Sequence, residues 1–339
     1  MPFNYACVIL KTRSFSAYFC FPSRQQSLPV YSYSGGISRL KYNYSQFKQQ
    51  IVSSLQKQLG TETRITIQDI VKNNDTHLDG LTILSPDSCI CPTIYLNYYF
   101  QKYENGCPIA EITGQLLTVY RENLPASSID FSFFTDYEQV RSHIVFKLIS
   151  YERNPELLSD VPHYRFLDLA LVFYCLIETS PDGSASILIH NRHLNYWNIT
   201  DDDLFALAQQ NTPRLLAYEL RDMTDVLREL FAAEPSACED GDSLSPASMY
   251  ILTNRAKRNG SGCILYDNLL LNFANRLGCD LFILPSSIHE VLLIPANSQT
   301  ETKELSEVVR EVNSSQLSRE EILSDHVYYF SRETGRLTM

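Results

Sequence analysis

Four residues with the side chains of acyl-transfer chemistry stand close together near the C-terminal end: Ser286, Ser287, His289 and Glu290. A hydroxyl nucleophile, an imidazole base and a carboxylate to orient that base are the groups a serine hydrolase assembles. Catalysis further requires a serine oxygen within hydrogen-bond reach of the ring and donors for the developing oxyanion. The competing reading is structural, because serines in a tight turn ordinarily bond the backbone. Asp168 is the second candidate. It is the one acid inside the longest apolar run, Phe166 to Ile177, where it serves either as a binding or catalytic carboxylate or as an acceptor for backbone N–H groups at a strand start. Tyr98 and Tyr99, followed by Phe100 and Tyr103, form the third: an aromatic cluster that either flanks a core or offers a ligand or partner surface.

Metal and cofactor chemistry is not expected. His190 and His193 are three apart and can share a face, but no third ligand accompanies them. Cys89-Ile90-Cys91 is the one close cysteine pair, and no second pair follows at zinc-site spacing. The glycine-rich phosphate loop, the dinucleotide fingerprint, His-Glu-x-x-His and Gly-x-Ser-x-Gly are all missing from the chain.

The elements that must carry these residues follow from periodicity. Gly278 to Pro295 reads as two apolar strands, Leu281–Leu284 and Val291–Ile294, joined through the Ser-Ser-Ile-His-Glu turn. Phe166 to Ile177 and Ser186 to Ile189 read as a second buried hairpin across an Asp-Gly-Ser turn. Upstream, Phe47, Ile51, Val52, Leu55 and Leu59 make one helical stripe closed by Gly60, and strand-like runs follow at 64–67, 80–84 and 92–96. Helices are expected at 108–120, from a capping pattern at Thr135 and Glu138 to about Ile149 with an end that could instead run into strand, from Thr200 through Ala208, and around Val226 to Phe231. Strands at 249–253, 263–266 and 326–330, with helices at 268–277 and after Ser298, complete the series. The irregular alternation predicts an α+β fold of mixed, largely antiparallel sheets with amphipathic helices packed on them.

Composition sets the outer bounds. The 339 residues carry a formal net charge of −11, yet residues 1–61 hold seven basic side chains and no acid, leaving 21 basic against 39 acidic residues for the rest. An acidic body lacks the clustered Lys and Arg that phosphate contacts need, so nucleic acid is not an expected partner. No apolar run approaches the roughly 18–20 residues that cross a bilayer, so no membrane association is expected and the protein reads as soluble. Nine cysteines spread thinly through apolar runs suit free thiols in a reducing compartment. Four segments are expected: a poorly ordered N-terminal extension at 1–40, an α+β region at 41–232, an acidic linker at 233–247, and a second α+β region at 248–339.

Several stretches carry a family resemblance. Leu78-Asp79-Gly80-Leu81-Thr82-Ile83, Pro92-Thr93-Ile94-Tyr95-Leu96, Phe166-Leu167-Asp168-Leu169-Ala170, Asn211-Thr212-Pro213-Arg214-Leu215, Ile283 to Val291 and Leu323-Ser324-Asp325 occur in that order. From about Tyr42 onward the chain resembles the bacterial domain of unknown function 5688 family, and its layout is similar to the domain of unknown function 1444 group. The resemblance implies a cytoplasmic bacterial protein with residues 1–40 outside the family domain; it supplies no reaction, substrate, cofactor or site residue. The expectation is an uncharacterised non-enzymatic protein that binds an unknown protein or small molecule. The alternative is a hydrolase using Ser286 or Ser287 with His289 and Glu290.

Overall fold

Asn43 opens the first helix, α1 (Tyr44–Leu59), through a reciprocal cap: its side chain accepts the Gln46 N–H while the Gln46 side chain accepts its own. Phe47, Ile51 and Leu55, at four-residue spacing, are fully buried, and Gly60 ends the helix at φ 84°. The structure is a computed structural model, and it describes residues 41–85, 92–123, 134, 136–180, 183–232, 249–285, 287–296 and 302–339. The expected extension at 1–40 and the acidic linker therefore lie outside the described residues.

Two compact units divide the chain, one of residues 1–70, 77–130 and 177–187, the other of 71–76, 131–176 and 188–339. In the first, β1 (Arg64–Lys72), β2 (Thr76–Leu84) and β3 (Thr93–Tyr95) form a sheet in that order. Helices α2 (Leu96–Glu104) and α3 (Ile109–Glu122) follow. Leu81, Ile83 and Ile94 from the sheet meet Phe47, Ile51, Ile112 and Leu116 from the helices in one core. Each such side chain contributes about 1.5–3 kcal/mol by leaving water.

The second unit holds two sheets. Following the one-turn helix α4 (Tyr137–Val140), β4 (Ile144–Ser150) runs antiparallel to β6 (Leu169–Ser180), with Ile144 opposite Cys175 and Ser150 opposite Leu169. Helix α5 (Pro155–Asp160) and strand β5 (His163–Phe166) lie between them in sequence, and β5 pairs with the other edge of β6. β7 (Gly183–Leu188), whose residues 183–187 belong to the first unit, pairs with β6. After α6 (Asn191–Trp197) comes α7 (Asp201–Leu215), capped by Thr200 and packed on β4. Near its end Thr212 Oγ accepts the Phe146 N–H at 3.0 Å and Asn211 Nδ2 donates to the Ile144 carbonyl at 3.0 Å, so the Asn-Thr-Pro stretch ties helix to strand.

The larger sheet comprises β8 (Tyr218–Asp222), β9 (Tyr250–Asn254), β10 (Leu281–Leu284), β11 (Val291–Pro295), β12 (Tyr328–Ser331) and β13 (Arg336–Thr338), in the order β13-β12-β10-β11-β9-β8. Helices α8 (Met223–Ala232), α9 (Leu269–Leu277) and α10 (Thr302–Ser315) connect its strands. The expected apolar hairpin is present, with Leu281 opposite Pro295 and Leu284 opposite Leu292. The α+β class, with antiparallel sheets and packed helices, is what the structure has.

Two local expectations are corrected. Residues 135–149 are not one helix: after one turn capped by Asp136, Ile144-Val145-Phe146 joins β6, because a β-branched and aromatic run buried on both faces suits a central ladder. Residues 263–266 are not a strand. A 3-10 turn spans Gly260–Leu265, since β9 already has β8 and β11 on its two edges. Across the acidic stretch, β8 before it pairs with β9 after it over five positions, from Tyr218 opposite Asn254 to Asp222 opposite Tyr250. Among the described residues, no helix is long and apolar enough to cross a membrane.

Candidate functional site

In the second unit a two-residue turn, Leu167-Asp168, joins β5 to β6. Leu167 takes φ +55°, a left-handed conformation that costs a residue with a Cβ about 1–2 kcal/mol. The turn aims the Asp168 carbonyl at the Tyr151 N–H, 2.9 Å away, and its carboxylate inward. Oδ1 accepts the Tyr328 hydroxyl at 2.7 Å, and Oδ2 accepts the Ser324 hydroxyl at 2.5 Å and faces His326 Nδ1 at 3.1 Å. Asp168, Ser324 and Tyr328 are buried, whereas the His326 side chain is 47% exposed.

A carboxylate taken from water loses solvation that only hydrogen bonds and an opposite charge restore. Here two hydroxyls and an imidazole N–H converge on it. Burial first, then the Asp168 charge, holds the Tyr328 phenol well above its ordinary range, so it remains a neutral donor. Ser324 has no nucleophile's arrangement: its hydroxyl proton goes to the carboxylate and its oxygen accepts the His326 backbone N–H at 2.9 Å. The group turned outward is the imidazole. With Nδ1–H directed at Asp168, Nε2 keeps its lone pair, and among the described residues Nε2 has no hydrogen-bond partner.

The segment carrying Ser324 to Tyr328 is held from several sides. Asn313 Nδ2 donates to the Ser324 carbonyl and to Asp325 Oδ1, both at 2.8 Å, and Arg153 binds Asp325 Oδ2 at 2.5 Å. Burial alone would raise the Asp325 carboxyl, but Asn313 and Arg153 outweigh it and hold it below the usual carboxylate range. Upstream, Asn74 Nδ2 donates to the Arg319 and Ile322 carbonyls at 2.6 and 2.8 Å, while Asn154 binds the Asn74 backbone N–H and side-chain oxygen. Beside this arrangement a concavity of about 440 Å³ is lined by Tyr151, Glu152, Pro155, Leu158, Ser159 and His163.

The Ser-His-Glu tip lies in the same unit, between β10 and β11. Ser287 Oγ accepts the His289 backbone N–H at 3.0 Å, and the His289 ring takes the Asn259 N–H on Nδ1 at 3.2 Å. The neutral ring then carries its proton on Nε2, which faces Glu321 Oε1 at 3.8 Å. Burial raises the Glu290 carboxyl, against an opposing pull from Lys257. Ile288 is bound at both ends, its N–H to the Glu321 carbonyl and its carbonyl to Ser261 Oγ, so the tip is a packed corner of the sheet. Ser286 lies outside the described residues.

In the first unit, α2 turns Tyr99 inward and leaves Tyr98 57% exposed, the two rings edge to face at 5.4 Å with Lys102 Nζ 4.6 Å above Tyr98. A groove of about 780 Å³ on the same unit runs along α1 beside Lys48 and Asp79, which pair at 2.9 Å. In the second unit, His190 and His193 do not converge as ligands: His190 Nδ1 pairs with Asp160 at 2.7 Å, and His193 Nδ1 accepts the His190 N–H. Burial pushes the His193 ring down to about 4. Among the described residues no three potential ligands gather around a common point. Cys89 and Cys91 lie outside the described residues.

Of the sequence candidates, then, Asp168 reaches an assembled site, and it does so with Ser324, His326 and Tyr328, none of which residue spacing picked out. The available signal was Leu323-Ser324-Asp325 as a family stretch followed by alternating His326 and Tyr328 on a strand edge. What hid them was a separation of more than 150 residues from their carboxylate partner. No curated protein and no solved structure matches the chain. Residues 44–332 match the model of DUF5688, a family of unknown function, and the chain belongs to that family.

Proposed function

We propose that this chain is a cytoplasmic bacterial protein that binds a small ligand at the surface where His326 emerges, and that it is a binding protein rather than a serine hydrolase. One observation carries the reading: a buried carboxylate, held by two hydroxyls and a strained turn, is committed to orienting one half-exposed imidazole. Buried polar networks cost stability unless every member is satisfied, and strain of the Leu167 kind concentrates at working sites. Thiols at Cys107, Cys175, Cys263 and Cys279 agree with a reducing compartment, and the acidic charge agrees with a partner other than nucleic acid. The serine reading draws less support, because the Ser287 hydroxyl meets backbone and the His289 ring faces Glu321.

A thermal-shift screen against nucleotides, sugars and carboxylic metabolites tests this. A ligand present at about 100 times its dissociation constant adds roughly 2.7 kcal/mol of stability. The expected result is a shift in the intact protein that His326→Ala abolishes. A shift that survives His326→Ala, or one abolished by His289→Ala instead, places binding elsewhere and overturns the reading.

A further inference from the structure

Among the described residues three aspartate–histidine pairs close through Nδ1, and the exposure of the carboxylate distinguishes them. His77 meets Asp69 at 2.7 Å and His190 meets Asp160 at 2.7 Å, with carboxylates 60% and 64% exposed, respectively. His326 meets Asp168 at 3.1 Å, and that carboxylate is 11% exposed. The imidazoles of His77 and His326 are equally exposed, at 47% each. Burial of the acid, not of the base, therefore sets His326 apart.

We infer that Asp168 and His326 form an acid–base dyad, in which Nε2 of His326 takes a proton from a hydroxyl of the bound ligand or from a water beside it and later returns it. In the step, the O–H bond opens, its electron pair stays on oxygen, and the proton passes to the Nε2 lone pair. The imidazolium so formed is held through Nδ1–H by the Asp168 carboxylate, whose position is fixed by the Tyr328 and Ser324 hydroxyls that donate to it. Water screens the carboxylates of Asp69 and Asp160, so the same contact there has less effect on the ring. Of the remaining charges beside the dyad, Arg153 and Asp325 are paired with each other at 2.5 Å, and His326 also feels the Asp325 carboxylate, though Asp168 is the acid its Nδ1 meets. The inference rests on the ligand-binding reading for what occupies the site, and goes beyond it by assigning proton transfer there.

The test needs no knowledge of the ligand. Carbethoxylation by diethyl pyrocarbonate attacks an unprotonated imidazole nitrogen, and peptide mass spectrometry reads each histidine of the full chain separately. At alkaline pH His326 is expected to react about tenfold faster than His77, since a carboxylate shielded from water fixes the proton on Nδ1 and keeps the outward Nε2 as the attacking atom. Asp168→Asn is expected to bring His326 to the rate of His77, while Asp69→Asn leaves His77 within about twofold of its starting rate because that carboxylate is solvent-screened. Equal rates for His326 and His77 in the unaltered protein overturn the dyad, and that comparison stands even where Asp168→Asn fails to fold. Persistence of the fast rate in a folded Asp168→Asn protein overturns it as well. A ligand screen without a hit would remove the binding reading and leave the reactivity intact, so the two failures are distinguishable.

Discussion

His193 shows how much one side chain's surroundings alter its chemistry. Its ring packs edge-on against Phe134 at 5.1 Å and lies 5.7 Å from Trp197, and burial, then the neighbouring His190 and Arg192, push its pKa down to about 4. In the unfolded chain an ordinary imidazole titrates near 6.5, so between about 4 and 6.5 the unfolded state binds a proton that the folded state refuses. The stability this ring contributes is complete above the upper value and lost progressively as the pH falls through that window. Replacing it with a residue that does not titrate, His193→Gln, should flatten the melting temperature over this range while leaving the fall at lower pH in place. A wild-type melting profile that is already flat between pH 6.5 and 4 would contradict the assignment. Chemistry at this scale was partly legible in sequence. Asp168 stood out as an acid in an apolar run, but its three donors did not, because hydrogen-bond partners distant along the chain leave no local spacing to read.

At the scale of elements, legibility followed the strength of local signals. Helix α1 and the hairpin of β10 and β11 were plain in sequence, because a capped amphipathic stripe and paired apolar runs are local patterns. Residues 144–149, open to helix or strand by local pattern, and 263–266, which pattern makes a strand, have their state set by neighbours. The first finds a long antiparallel partner in β6, and the second lies against β9, both of whose edges are taken. Gly260 marks the second case. It begins the 3-10 turn against β9, and a Cβ there would run into Thr253 Oγ, the Asn254 backbone and the His289 carbonyl oxygen. Backbone atoms cannot swing aside as a flexible side chain can, and overpacking of this kind costs about 1–3 kcal/mol. Gly260→Ala should lower the urea midpoint by a corresponding amount with an unchanged slope, whereas Gly114→Ala, with open space around it, should not. Equal midpoints for the two variants would show that the turn yields easily.

For the molecule as a whole, the order of strands in the larger sheet decides what can fold alone. Composition suggests a break at 233–247, where acids and small residues replace apolar ones, but composition reports solvation and says nothing of which strands meet across a gap. The sheet order β13-β12-β10-β11-β9-β8 puts β9 between one neighbour from before the acidic stretch and one from after it. Divided there, the fragment of residues 248–339 keeps β9 to β13 but exposes the edge of β9 on which Leu252 faces Leu220. It also loses Asp168, leaving the Tyr328 and Ser324 hydroxyls buried without their acceptor. An unmet buried donor costs about 1–3 kcal/mol and a bare strand edge invites association, so the separated fragments of residues 41–232 and 248–339 should be unfolded or aggregated. Mixed during refolding they should recover a single cooperative melt, because the β8 to β9 ladder and the Asp168 contacts need no covalent link between Ala232 and Met249. Dispersed amide resonances from the 248–339 fragment by itself would refute this, and would restore the acidic stretch to the standing of a domain boundary.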